Sequence, residues 1–151
     1  MNWAEPGDGI FGLVENSYST GNVIANSGLA GGLVGANFGH IDNSFYDIDA
    51  VLINGSHQVT EAGIYGGQFA NWLANNRVLS IWDYLTEDSG GFQIGTLQNL
   101  KDALAFVVSG YSFRLTGNLD LASVPGLHIP VLNGGSFDGN GYVVSNLFLE
   151  L

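Results

Sequence analysis

The sequence predicts a mainly β protein whose chain winds in stacked coils, a parallel β-helix (β-solenoid), with a short helical cap or spacer inserted between two such stretches. Three observations predict it. Val14-Glu15-Asn16-Ser17-Tyr18 recurs as Ile41-Asp42-Asn43-Ser44-Phe45, an offset of 27 (41 minus 14), matching apolar, acidic, Asn, Ser and aromatic residues in order. The apolar segments are short, and Gly, Asn, Ser or Asp interrupts each one, which suits short strands and tight turns. Helical periodicity is confined to the middle of the chain. A short repeat of this kind fits one coil, which cannot bury its apolar face until a neighbour stacks on it. An antiparallel sandwich with Gly-rich hairpins is the alternative.

Residues 1–60 read as the first block of coils. Within GGLVGANFGHIDNSFYD, residues 31–47, glycines bracket Leu33-Val34 and echo Phe11-Gly12-Leu13-Val14. They are expected to supply the positive φ that sharp corners need. Side chains alternate along a strand, so Val14 and Ile41 are expected in one inward column. Asn16 and Asn43 are expected to stack at one corner, their amides hydrogen-bonded along the axis.

Residues 61–110 read as the cap or spacer. Phe69, Trp72 and Leu73 fall at i, i+3, i+4, one face of a helix. A second helix is expected after Thr96 as N-cap, with Leu97, Leu100, Leu104 and Val107 as its stripe. Between them, Glu87-Asp88-Ser89-Gly90-Gly91 reads as a turn and Phe92-Gln93-Ile94 as a strand. Residues 111–151 read as the start of the next β-helical block: strands in YSFRLTGNLDLA, HIPVL and YVVSNLFLEL, with Asp138-Gly139-Asn140-Gly141 as a tight turn. Val144-Ser145-Asn146-Leu147 is a shorter third copy of the repeat.

Composition narrows the function. Fourteen acids against three bases give a net charge of −11, a field that repels a phosphate backbone, so nucleic acid is not an expected partner. The absence of Cys removes disulfides, thiolate catalysis and Cys-ligated zinc. No apolar run approaches the ~20 residues of a membrane span. MNWAEPGDGIFG has neither the basic nor the apolar region of a signal peptide. The chain starts and stops inside patterned sequence, which predicts a piece of a longer protein whose export signal lies elsewhere.

GGLVGANFGHIDNSFYD, with ENSYSTGNV upstream, resembles the GLUG-type repeat of large bacterial surface proteins. FRLTGNLDLA, IPVL and SFDGNGYVVSNLFLEL resemble the segment that opens a new repeat block in the same proteins, and the stretch Leu97 to Phe106 is similar to the helix that precedes it. The resemblance covers most of the chain except roughly residues 52–95. It implies a filamentous-haemagglutinin-like adhesin, secreted to the bacterial cell surface and folded as a right-handed parallel β-helix. The implied partner is a host or neighbouring-cell glycan or protein, with flanking repeats of the parent chain stacked on either side. Such repeats also occur in non-catalytic regions of secreted immunoglobulin-A-specific metallopeptidases.

No catalytic, cofactor or metal residue is assigned. His40, His57 and His128 lack the HExxH spacing of a zinc peptidase and read as turn or surface residues. Ser17, Ser44 and Ser145 lack a nucleophile elbow and read as corner residues. Asp47 and Asp49 point the same way on a strand, and with Asp42 they are the acid/base or hard-cation candidates, against a reading as solvated outward positions. A polysaccharide lyase would need bases, and only Arg77, Lys101 and Arg114 are present. Asp138-Gly139-Asn140-Gly141 lacks the later acids of a calcium loop. Trp72, Trp82 and Tyr84 are candidates for a sugar-stacking platform, against a reading as core packing. The expected function is therefore non-enzymatic: a stiff adhesin segment presenting binding regions. A carbohydrate- or protein-binding module and a β-helical carbohydrate-active enzyme are the alternatives.

Overall fold

The computed structural model describes residues 12–149. The first eleven residues of the expected 1–60 block, Phe11 and most of the MNWAEPGDGIFG segment among them, lie outside the described residues, as do Glu150 and Leu151 at the end of the 111–151 block. The chain divides into two compact units, Met1–Val78 and Leu79–Leu151. The boundary falls within the stretch 61–110.

The first unit contains β1 (Leu13–Glu15), β2 (Tyr18–Ser19), β3 (His40–Asp42), β4 (Phe45–Asp47), β5 (Gly63–Ile64) and α1 (Gly66–Ala74). β1 pairs in parallel with β3, Val14 opposite Ile41, and β2 pairs in parallel with β4, Tyr18 opposite Phe45. Both pairs keep the 27-residue offset of the sequence repeat. Val14 and Ile41 share one half-buried column. Tyr46, Val51, Ile53, Ile64 and Trp72 form the fully buried core. α1 buries Gln68, Phe69 and Trp72, while Leu73 is 42% exposed, so its stripe is rotated one position back from the expected face. Asn76 and Arg77 turn left-handed after it and end the helix.

The second unit contains β6 (Glu87–Asp88), β7 (Gly91–Ile94), α2 (Leu97–Ala103), β8 (Ser112–Leu115), β9 (Leu119–Asp120), β10 (Ser136–Asp138) and β11 (Val144–Ser145). One sheet runs β10-β8-β7-β6 and another pairs β9 with β11. β6 and β7 form an antiparallel hairpin whose turn is held by Asp88 Oδ1, accepting from Gly90 N at 2.7 Å. At the start of α2, Thr96 Oγ1 accepts from Asn99 N at 3.1 Å, and Asn99 Oδ1 accepts from Thr96 N at 3.2 Å. That reciprocal pair satisfies two N–H groups that helix geometry leaves orphaned. Leu100, Leu104 and Val107 are buried as expected, and Leu97 is half-buried. HIPVL forms no strand.

The right-handed β-helix is not what the chain builds. Among the described residues the strands are two to four residues long and fall into four separate sheets, two of two strands, one of three and one of four, in a mixed α/β arrangement with two α-helices. A solenoid needs one offset repeated coil after coil so that equivalent residues keep one column. Here the offset is 27 at β1 and β3, 17 at β4 and β5 (63 minus 46), 21 at β7 and β8 (113 minus 92) and 25 at β9 and β11 (144 minus 119). The antiparallel β6 then ends the four-stranded sheet. The sandwich alternative fares no better, because every other strand pair among the described residues is parallel.

The glycines around Leu33-Val34 also serve a different purpose from the one expected. None of Gly31, Gly32 and Gly35 has positive φ; the left-handed corners belong to Asn16 (φ 49°) and Asn43 (φ 43°). A Cβ on Gly32 would sit 2.3 Å from the Tyr46 ring, and one on Gly35 would sit 2.5 Å from the Leu29 carbonyl oxygen. Close packing, not torsional freedom, requires glycine there.

Candidate functional site

The repeated motif is spent on holding backbone. Ser17 Oγ donates to Glu15 O, and Ser44 Oγ donates to Asp42 O, each at 2.8 Å, so the two copies close identical turns. Ser44 Oγ also accepts from Ser17 N at 3.0 Å. Asn43 Nδ2 donates to Asn16 Oδ1, and Trp72 Nε1 donates to Asn43 Oδ1, both at 2.8 Å. Arg77 donates to Asn16 O at 2.7 Å, with its guanidinium 5.4 Å from the Tyr18 ring centre and 5.9 Å from that of Trp72. The Asn stack foreseen from the repeat is present; its termination on an indole N–H was not foreseen, because Trp72 lies 29 residues from Asn43.

The carboxylates come together only in part. Asp47 Oδ1 accepts from Asp49 N, and Asp49 Oδ2 accepts from Gly66 N, each at 2.9 Å. A Cβ on Gly66 would meet oxygens of both acids at 3.2 Å, which places the pair at the N-terminus of α1. Negative charge is stabilised there by the helix's unsatisfied N–H groups. Asp42 sits elsewhere, on β3 opposite Glu15. Among the described residues no three His, Asp or Glu side chains cluster as metal ligands.

The histidines are dispersed. His40 lies on β3 opposite Leu13, His57 Nδ1 bonds Ile48 O at 2.8 Å, and His128 Nδ1 bonds Gly126 O at 2.9 Å. In the Asp138-Gly139-Asn140-Gly141 turn, Asp138 Oδ1 accepts from Asn140 N at 2.8 Å. Arg114 donates to Asn140 Oδ1 at 2.8 Å and lies 3.6 Å from Asp138 Oδ2, so a cation already occupies that turn. Ser145 Oγ approaches Leu119 O at 3.4 Å, and Lys101 lies in the last turn of α2.

Two tyrosines have shifted titration. Burial raises Tyr46, against the opposing pull of its hydrogen bonds to Thr60. Burial, then the nearby charge of Asp49, then Tyr46 push Tyr65 up to about 12. Asp120 is lowered by the Asn146 amide and the Ala122 N–H.

The aromatic candidates separate cleanly. Trp72 is fully buried, and Tyr84 packs half-buried against Phe106. Trp82 alone of the three presents an open face, 63% exposed, and its ring meets Phe92 edge-on at 5.0 Å. A second feature of the second unit was missed at the sequence level. It is an apolar groove of about 500 Å³ lined by Leu100, Leu121, Leu127, Phe137, Val144 and Leu147 among others. Its signal is the apolar density of YVVSNLFLEL, read there as an ordinary strand. No helix among the described residues is long and apolar enough to cross a membrane.

No protein-family model matches this chain, and no curated protein and no solved structure matches it.

Proposed function

We propose that this chain is a non-catalytic structural and adhesive segment of a secreted bacterial surface protein. The reading rests on one observation above all. The 27-residue repeat spends its polar side chains on locking one pass of the chain to the next, through Asn43 Nδ2 to Asn16 Oδ1 at 2.8 Å and Ser17 N to Ser44 Oγ at 3.0 Å. Resemblance of GGLVGANFGHIDNSFYD to GLUG-type repeats supplies the surface-protein context. The stiff solenoid rod is not part of the proposal. Short cross-linked passes instead hold a scaffold that presents a face to a glycan or protein on another cell.

Trp82 is the residue for that contact. It is large, flat and 63% exposed, suited to stacking on a sugar ring. The test is binding of the immobilised chain to a glycan array and to intact host cells. Binding that falls at least tenfold in Trp82→Ala, with the thermal midpoint unchanged, supports the reading. A chain that binds no glycan and no cell surface removes the adhesive role.

A further inference from the structure

Among the described residues eight strands pair on one side alone, and two of them are β1, whose partner is β3, and β11, whose partner is β9. On β1, Gly12 O accepts from His40 N at 2.8 Å and Asn16 N donates to Asp42 O at 3.2 Å. Strand alternation therefore turns Val14 toward β3 and leaves the backbone groups of Leu13 and Glu15 facing outward. On β11, Val143 O and Ser145 O accept from Leu119 N and Leu121 N, each at 2.9 Å. That leaves the groups of Val144 and Asn146 facing outward. The two edges are in complementary phase for a parallel ladder with Val144 opposite Val14.

The corners agree as well. Asn16, Asn43 and Asn146 all follow an apolar and a polar residue, and all are left-handed, with φ of 49°, 43° and 57°. In both units the later amide donates to the earlier residue: Asn43 Nδ2 to Asn16 Oδ1, and Asn146 Nδ2 to Asp120 Oδ1 at 2.7 Å. The next members of such a series are a donor for Asn146 Oδ1 and an acceptor for Asn16 Nδ2. Each edge offers what the other lacks. The same register sets Leu13, 56% exposed, against Val143, 58% exposed, and sets Glu15 against Ser145 rather than against another acid.

We infer that a second copy of this chain docks here, β11 of one copy pairing in parallel with β1 of the next and Asn16 of the second donating to Asn146 of the first. The contact continues the β9–β11 and β1–β3 ladders across the boundary between copies. Because the two edges differ, the contact is heterologous, and one contact between two copies leaves one edge of each kind open for the next copy. With a net charge of −11 on each copy, association strengthens as salt screens their repulsion.

Sedimentation velocity at rising protein concentration, in low and high salt, tests the association. The expected result is a series of growing species favoured by salt; a single monomer under every condition overturns the inference. The register is tested by mixing Glu15→Cys with Ser145→Cys under mild oxidation, in a chain with no other Cys. The mixture is expected to cross-link while neither variant links to itself; equal self-linking overturns the head-to-tail contact. Glu15→Pro removes an outward N–H and places a ring on the edge without touching the β3 ladder, so it is expected to stay folded by circular dichroism and stay monomeric. Asn16→Asp keeps the acceptor used by Asn43 but loses the outward donor, and is expected to weaken association about tenfold. Undiminished association in both variants overturns the assignment of the edge.

Discussion

Asn43 donates from Nδ2 to Oδ1 of Asn16 across 2.8 Å, and both residues hold a left-handed backbone, φ 43° and 49°. Asn suits this double duty: its short amide tolerates positive φ and still reaches its neighbour. Trp72 Nε1 then donates to Asn43 Oδ1 at 2.8 Å, so one amide serves a sheet corner and the buried indole of α1 together.

Replacing Asn43 therefore removes two partners at once. Asn43→Ala leaves the indole N–H of Trp72 unpaired and puts a Cβ-only residue at positive φ, an expected loss of about 2–4 kcal/mol. Asn43→Gly keeps the backbone conformation and should recover about 1 kcal/mol of that. Urea unfolding followed by circular dichroism reads the difference; equal stability of the two variants would mean the torsion is irrelevant.

Gly32 faces the Tyr46 ring, and that ring cannot retreat. Its hydroxyl accepts from Thr60 N at 2.8 Å and from Thr60 Oγ1 at 2.9 Å, and donates to Gln58 O at 2.8 Å. Gly32→Ala is expected to cost about 1–3 kcal/mol through overpacking. Gly21→Ala, which meets nothing within 4 Å, is the neutral control. A Gly32→Ala protein melting with the parent would refute the packing role.

Alkaline pH should unfold the first unit early. Tyr46 and Tyr65 are raised in the folded chain, chiefly by burial, Tyr65 to about 12, against an ordinary value of 10.0. Between those values the unfolded chain releases protons that the folded chain retains, so stability is full below pH 10 and falls as pH rises above it. Urea midpoints measured from neutral pH upward should show that decline, and Tyr65→Phe should flatten it. An unchanged slope in Tyr65→Phe assigns the decline to other groups.

Thr96→Ala removes the reciprocal cap of α2 and is expected to cost about 1 kcal/mol, with Thr96→Ser restoring most of it. Thermal midpoints of the three proteins decide it; an unchanged midpoint in the Ala variant means the capping bond contributes nothing net.

What could be read from the residues alone was local. The 27-residue offset foretold the pairing of Val14 with Ile41 and the Asn16–Asn43 stack, because matched short segments meet in register when both copies carry the same corner. Thr96 foretold α2, because an N-cap hydroxyl satisfies a helix N–H within its own turn. The role of Gly32 was hidden, since only the folded chain brings the Tyr46 ring against it. Asp47 and Asp49 were legible as acid/base or cation candidates set against solvated outward positions, but not as partners of Gly66, which starts a helix 17 residues beyond Asp49.

Short-range pattern thus settled the cap at Thr96 and the pairing of the first two repeat copies, since those interactions close within a turn or between identical corners, while it misplaced the left-handed corners at the glycines and left the partner of Val144-Ser145 to the fold. Folding settled the offsets of 17, 21 and 25 that follow the first 27, and with them the mixed α/β architecture. The offset between two passes depends on how much chain lies between the paired strands, as α2 does between β7 and β8, and no single repeat unit carries that quantity.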